Sequence, residues 1–163
     1  MKLNKLMPAM SGVCMMVATH SAFAAESVES SFNVKIAVSS LCKIDNINDV
    51  DFGTVSAAVE HDVIENTKLS IKCNELKPYT IALVPSNKNT TGQGEMTSAD
   101  GNNIKYGLYS DSAATVPWGS TGLTSHTGNG RKQEYPVYVK VAGSEFDAPS
   151  GSYNDIVTVR VNY

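Results

Sequence analysis

An all-β fold, an antiparallel β-sandwich formed by one domain, is predicted by three observations. Apolar residues alternate with polar ones in several short runs, the period-2 signature of strands with one buried face. Stretches rich in Gly, Ser, Thr and Asn separate those runs. No stretch of the expected mature chain carries the apolar period of a helix. A chain of 163 residues with 42% hydrophobic residues suffices for one domain with a real core.

Taken in order, the first segment is a targeting signal. Lys2 and Lys5 precede an apolar stretch from Leu6 to Ala18, and Ala22-Phe23-Ala24 supplies the small-x-small pattern of a cleavage site. The stretch is shorter than the ~20 apolar residues of a spanning helix. Residues 1–24 are therefore expected to be a signal peptide, leaving an exported chain that starts at Ala25 and carries no transmembrane span.

The next run is the longest alternation in the chain. Phe32, Val34, Ile36, Val38, Cys42 and Ile44 are apolar or cysteine, and mostly polar or small residues lie between them. Only Ser40-Leu41 breaks the period. As one strand, Phe32–Ile44 would span roughly 43 Å, about twice the usual length. That surplus needs an explanation outside one small domain.

Shorter strands follow. Thr67, Leu69, Ile71 and Cys73 alternate with Lys68, Ser70 and Lys72. Tyr79, Ile81 and Leu83 follow Pro78, which suits a strand entrance. Ile104, Tyr106 and Leu108 come after the turn Asp100-Gly101-Asn102-Asn103, and Tyr135 to Val141 alternates again. Val157, Val159, Val161 and Tyr163 close the sequence, with Thr158, Arg160 and Asn162 pointing the other way. Ser86–Gly94 and Gly119–Gly130 read as loops, and Val55 to Ile64 as a loop or an irregular edge strand. Six or seven such strands predict a sandwich of immunoglobulin-like type.

The cysteines fit an oxidising compartment. Cys14 leaves with the signal, so Cys42 and Cys73 have one intramolecular pairing open to them. Closing that loop would stabilise the fold by roughly 3–4 kcal/mol. A metal site would need more ligands than these cysteines with His61 and His126, which show no ligand-like spacing. The formal net charge of −3 at pH 7 and the lack of a basic cluster argue against a nucleic-acid partner.

The two ends of the chain complement each other. The strand Asp155–Tyr163 has no return strand after it, which would leave an unpaired hydrophobic edge that soluble proteins avoid. Ser31–Val38 is an alternating segment with no place in the domain. Two readings stand at this point. Either copies complete one another head to tail by strand addition, or Ser31–Val38 turns at Ser39-Ser40 and pairs within its own domain.

A family resemblance favours the first. Cys42, Phe52-Gly53, Cys73, Pro78-Tyr79-Thr80-Ile81, Tyr106-Gly107-Leu108-Tyr109, Trp118-Gly119 and Gly151-Ser152-Tyr153-Asn154-Asp155-Ile156-Val157-Thr158-Val159 occur in an order that resembles the spore coat protein U domain family. That family includes subunits of archaic chaperone–usher pili of the Csu type. Val55–Glu65 and Ser120–Arg131 depart from it.

The resemblance implies an incomplete immunoglobulin-like sandwich lacking its last strand, preceded by an N-terminal donor-strand extension. Residues 25–38 would be the extension and 39–163 the domain. Phe32, Val34, Ile36 and Val38 would enter a neighbour, and Val157, Val159, Val161 and Tyr163 would form the acceptor edge. The implied partners are neighbouring subunits, a periplasmic chaperone and an outer-membrane usher. The implied location is the periplasm during assembly, then a cell-surface pilus supporting attachment and biofilm formation. The chain has no room for the additional binding domain of a tip adhesin, so a shaft or adaptor subunit is expected.

Two other classes compete. An enzyme could draw on Glu60-His61-Asp62 or Ser125-His126-Thr127, yet no nucleophile elbow, paired-carboxylate motif or phosphate loop accompanies them. Gly128-Asn129-Gly130-Arg131-Lys132 lacks the spacing of a phosphate loop and reads as a turn. Neither catalysis nor a cofactor is expected. A secreted spore-coat-like or surface-binding module that does not polymerise could use Trp118 and the tyrosines for stacking, although a lone Trp is more often an anchor. The formal sequon Asn89-Thr90-Thr91 lies in an expected loop.

Overall fold

The computed structural model describes residues 27–45 and 47–163. The chain divides between Ala37 and Val38 into two units. The expected signal peptide, residues 1–24, lies outside the described residues. In the first unit residues 27–37 carry no regular secondary structure and are exposed.

The second unit is built from strands β1 (Cys42–Ile44), β2 (Val63–Cys73), β3 (Pro78–Val84), β4 (Gln93–Thr97), β5 (Asn103–Tyr109), β6 (Ser125–Thr127), β7 (Lys132–Val141) and β8 (Thr158–Asn162), with a short 3-10 helix at Gly143–Asp147. They form two antiparallel sheets, ordered β1-β2-β7-β5-β4 and β6-β3-β8. The fold is the predicted all-β sandwich.

Alternation explains the layering. Leu69, Ile71 and Cys73 on β2, Val137, Val139 and Val141 on β7 and Tyr106 and Leu108 on β5 turn inward from one sheet. Tyr79, Ile81 and Leu83 on β3 meet them from the other. Cys42 and Cys73 are directly opposed in the β1–β2 register and form a disulfide that closes a 31-residue separation, as the cysteine count predicts. The Lys132 ammonium, paired with the Asp45 carboxylate, holds that carboxyl below its usual pKa and ties the end of β1 across β2 to β7.

Four local readings need correction. Residues 93–94 of the expected loop Ser86–Gly94 begin β4. Its inward positions are Gly94 and Met96, and a glycine facing the core breaks no polar run. β6 lies inside the expected loop Gly119–Gly130, and its three residues are too few to show a period. Val63 and Ile64, the end of the stretch read as a loop or an irregular edge strand, begin β2 in regular register with β7. The 3-10 helix is a turn of helix where none was expected, and its Phe146 packs on the core.

Gly94 has a structural reason. It stands opposite Tyr106 in the β4–β5 register, and a Cβ there would overlap the Tyr106 ring. That ring is buried and its hydroxyl is fixed by a hydrogen bond to Asp155, so it has little freedom to retreat. Gly94→Ala is expected to destabilise the domain by about 1–3 kcal/mol through overpacking, measurable by denaturant titration.

Candidate functional site

A cleft of about 710 Å³ opens within the second unit, between the two sheets. Leu69, Leu83, Leu108, Val137 and Val139 form its apolar floor. Val157 and Val159 stand on one rim, Ile47, Val50 and Phe52 on the other.

Both rims offer free backbone. β8 is the last strand of its sheet, and its one ladder among the described residues is with β3. Across the cleft, residues 47–52 belong to no ladder among the described residues. The Asn48 carbonyl accepts the Thr67 hydroxyl at 2.9 Å, which moors this segment to β2. A strand laid in the cleft would lie over the apolar floor with backbone partners on both sides.

One end of the cleft is closed by residues 153–156. Thr97 and Asn154 exchange backbone hydrogen bonds, the Thr97 N–H to the Asn154 carbonyl at 2.9 Å and the reverse at 3.3 Å. The Tyr106 hydroxyl donates to the Asp155 carboxylate at 2.6 Å, joining β5 of one sheet to the approach of β8 in the other. Burial, and then that carboxylate, push the Tyr106 pKa far up, so the hydroxyl stays a donor.

The model of the Spore Coat Protein U domain matches residues 28–160 of this sequence. The chain belongs to that family. The crystal structure of a CsuC-CsuE chaperone-tip adhesion subunit pre-assembly complex, from archaic chaperone-usher Csu pili of Acinetobacter baumannii, is similar in fold. The similarity has a TM-score of 0.55 at 29% identity. It covers 77% of this chain but 40% of the other, so the Spore Coat Protein U chain spans less than half of that structure's chain. No curated protein matches the sequence.

Within this Spore Coat Protein U domain the expected acceptor residues are not equivalent. Val157 and Val159 line the cleft, and Val161 packs half-buried on the core beyond it. Tyr163 follows the end of β8 and is 54% exposed. The expected donor residues Phe32, Val34, Ile36 and Val38 are all exposed, Phe32 at 87% and Ile36 at 89%. The rim formed by Ile47, Val50 and Phe52 escaped the sequence reading because a segment without a ladder has no period 2.

Residues weighed for other chemistries have structural partners. Asp62 accepts the Gly143 N–H at 3.2 Å and pairs with Lys140 at 3.4 Å. His61 is exposed in the loop before β2. Trp118 donates its indole N–H to the Ile81 carbonyl at 3.0 Å, an anchor for the loop it ends. Asn89 uses its side-chain oxygen to hold the Thr91 and Gln93 N–H groups, at 2.8 and 3.2 Å, as a loop former. Among the described residues no group of three or more His, Cys, Asp and Glu side chains could hold a metal. No helix among them is long and apolar enough to cross a membrane.

His126 joins an aromatic cluster beside a smaller cavity of about 270 Å³. Its ring centroid lies 4.6 Å from that of Tyr135 and 5.6 Å from that of Tyr79. Burial lowers its pKa below the ordinary 6.5. The unfolded chain then binds the proton more readily, so the His126 contribution to stability is present above about pH 6.5 and lost as pH falls through that region. The depressed carboxyls of Asp45, Asp62 and Asp111 lose theirs only in stronger acid. Thermal unfolding between pH 7 and pH 5 should therefore show a smaller acid loss in His126→Gln than in the parent chain.

Proposed function

We propose that this chain is a structural subunit of a chaperone–usher pilus, polymerising by strand donation. Residues 25–38 of one copy enter the cleft of the next, with Phe32, Val34, Ile36 and Val38 turned onto its floor and Val157, Val159, Val161 and Tyr163 along the accepting edge. The observation that carries the reading is the cleft itself, apolar below and bordered by the edge strand β8, paired on one side only, and by residues 47–52, which belong to no ladder among the described residues. The same chain carries an exposed alternating segment of strand length and chemistry. Donor and acceptor are different surfaces, so the contact is heterologous and propagates.

The likeness to a chaperone-bound Csu subunit supports a periplasmic chaperone as the partner that occupies the cleft before assembly, and an outer-membrane usher as the place of exchange. The product is exported, passes through the periplasm and ends as a surface fibre that supports attachment and biofilm formation. The 1–24 segment acts as the signal peptide and residues 39–163 as the pilin domain.

Deleting residues 25–38 behind an intact signal tests the reading. The deleted chain should be exported and captured by the co-expressed chaperone, yet give no fibres alone in electron microscopy. Normal fibres from the deleted chain would refute strand donation.

A further inference from the structure

The root of the extension is fastened, and the fastening side chain is Asn74. Its amide nitrogen donates to the Ser39 carbonyl at 3.2 Å, and its side-chain oxygen accepts the Leu41 N–H at 3.2 Å. The Asn74 backbone N–H donates to the Leu41 carbonyl, also at 3.2 Å. Ser39, one residue after Val38, is thus the first residue that these bonds hold. A chain covers at most about 3.6 Å per residue, so a copy that holds Val38 must abut the Asn74 turn.

That turn presents an unusual residue. Leu76 is 81% exposed and has φ +58°, a left-handed conformation that costs a bulky side chain energy and that Asn or Gly adopts readily. The N–H of Leu76 is held by the Gly128 carbonyl at 2.9 Å, so its position is fixed. Leu41, across Asn74, is 59% exposed. Neither the exposure nor the backbone strain of Leu76 benefits the isolated domain, which points to a use outside it.

The facing surface follows from strand direction. Every ladder in the domain is antiparallel. A donor antiparallel to β8 ends, at Val38, beside the start of β8. There Ile156 is 76% exposed, directly before the cleft-lining Val157. We propose that Leu41 and Leu76, set around Asn74, form a second docking face that seats against Ile156 at the cleft mouth of the next copy. The inference rests on strand donation between copies. It adds a side-chain contact that stiffens the joint between consecutive domains, which the donated strand alone would leave as a swivel.

Hydroxyl-radical footprinting of the parent chain, as fibres and as the monomeric fraction of the same preparation, tests it. Labelling of Leu76 and Ile156 should fall several-fold on assembly, while Val116, exposed on another loop, should not change. Leu76→Asn supplies a second measurement, because Asn suits the left-handed backbone. Its monomer should melt no lower than the parent, its fibres should still form, and their persistence length in electron micrographs should drop several-fold. Fibres in which Leu76 labels as fast as in the monomer, or in which Leu76→Asn leaves stiffness unchanged, would overturn the docking face and leave strand donation standing. A parent chain that makes no fibres would overturn both.

Discussion

Ile36→Asp is expected to abolish the proposed fibre growth while leaving the domain folded. Ile36 is 89% exposed in a segment without regular structure, so the domain loses no packing when it is replaced. In the proposed fibre the same side chain lies on a floor of Leu69, Leu83, Leu108, Val137 and Val139. Burying the isoleucine there contributes about 1.5–3 kcal/mol, and a carboxylate in its place would forfeit that and add a desolvation cost of several kcal/mol. In the proposed fibre these losses add to the ordering of eight or so residues, which already opposes insertion at about 1–2 kcal/mol each. Electron microscopy of the variant should show no fibres, with an unchanged thermal midpoint of the monomer. Ile36→Val should restore assembly. Normal fibres from Ile36→Asp would remove Ile36 from the donor set.

Loss of the disulfide carries the second large effect. Cys42→Ser combined with Cys73→Ser should cost about 2–5 kcal/mol of domain stability, read from the shift of a denaturant midpoint. β1 is only three residues long, and its ladder with β2 ends at Ile44. Without the covalent link those few hydrogen bonds and the exposed Lys132–Asp45 pair must hold it, and an exposed pair contributes little. Hydrogen exchange in the double variant should accelerate first in Cys42–Ile44 and in the Leu41 amide. The amides at the centre of the β2–β7 ladder should follow only on global unfolding. A midpoint equal to that of the parent chain would show that β1 is held by other means.

The legible parts of the sequence were those in which burial and period coincide. Leu69, Ile71 and Cys73 alternate with Lys68, Ser70 and Lys72 because that part of β2 has one face on the core, whereas Tyr79, Ile81 and Leu83 hold the core face of β3 while Ala82 on its other face is buried too. The disulfide was legible by elimination, once Cys14 was assigned to the signal. β4 was hidden because Gly94 makes room for a tyrosine on the neighbouring strand, a requirement that arises in three dimensions and leaves no hydrophobic mark. The hydrogen bond between Tyr106 and Asp155 joins residues 49 positions apart, and nothing local announces it. Ile47, Val50 and Phe52 were illegible for another reason. They line a cleft without pairing in a ladder, so the spacing that marks a strand is absent. Phe32–Val38 is the converse, a strand pattern without a ladder in its own chain among the described residues.

The position of the Cys42–Cys73 bond also has a mechanical meaning. In the proposed fibre under tension, pull applied to residues 32–38 would reach Cys42 after the Asn74 clamp. The disulfide carries it covalently into β2, which is laced to β7 from Val63 opposite Val141 to Lys72 opposite Lys132. Force then acts along a long ladder in shear, where many hydrogen bonds resist together, rather than peeling a three-residue strand one bond at a time. A reductant should therefore lower the rupture force of a stretched fibre well before it unfolds a fibre at rest.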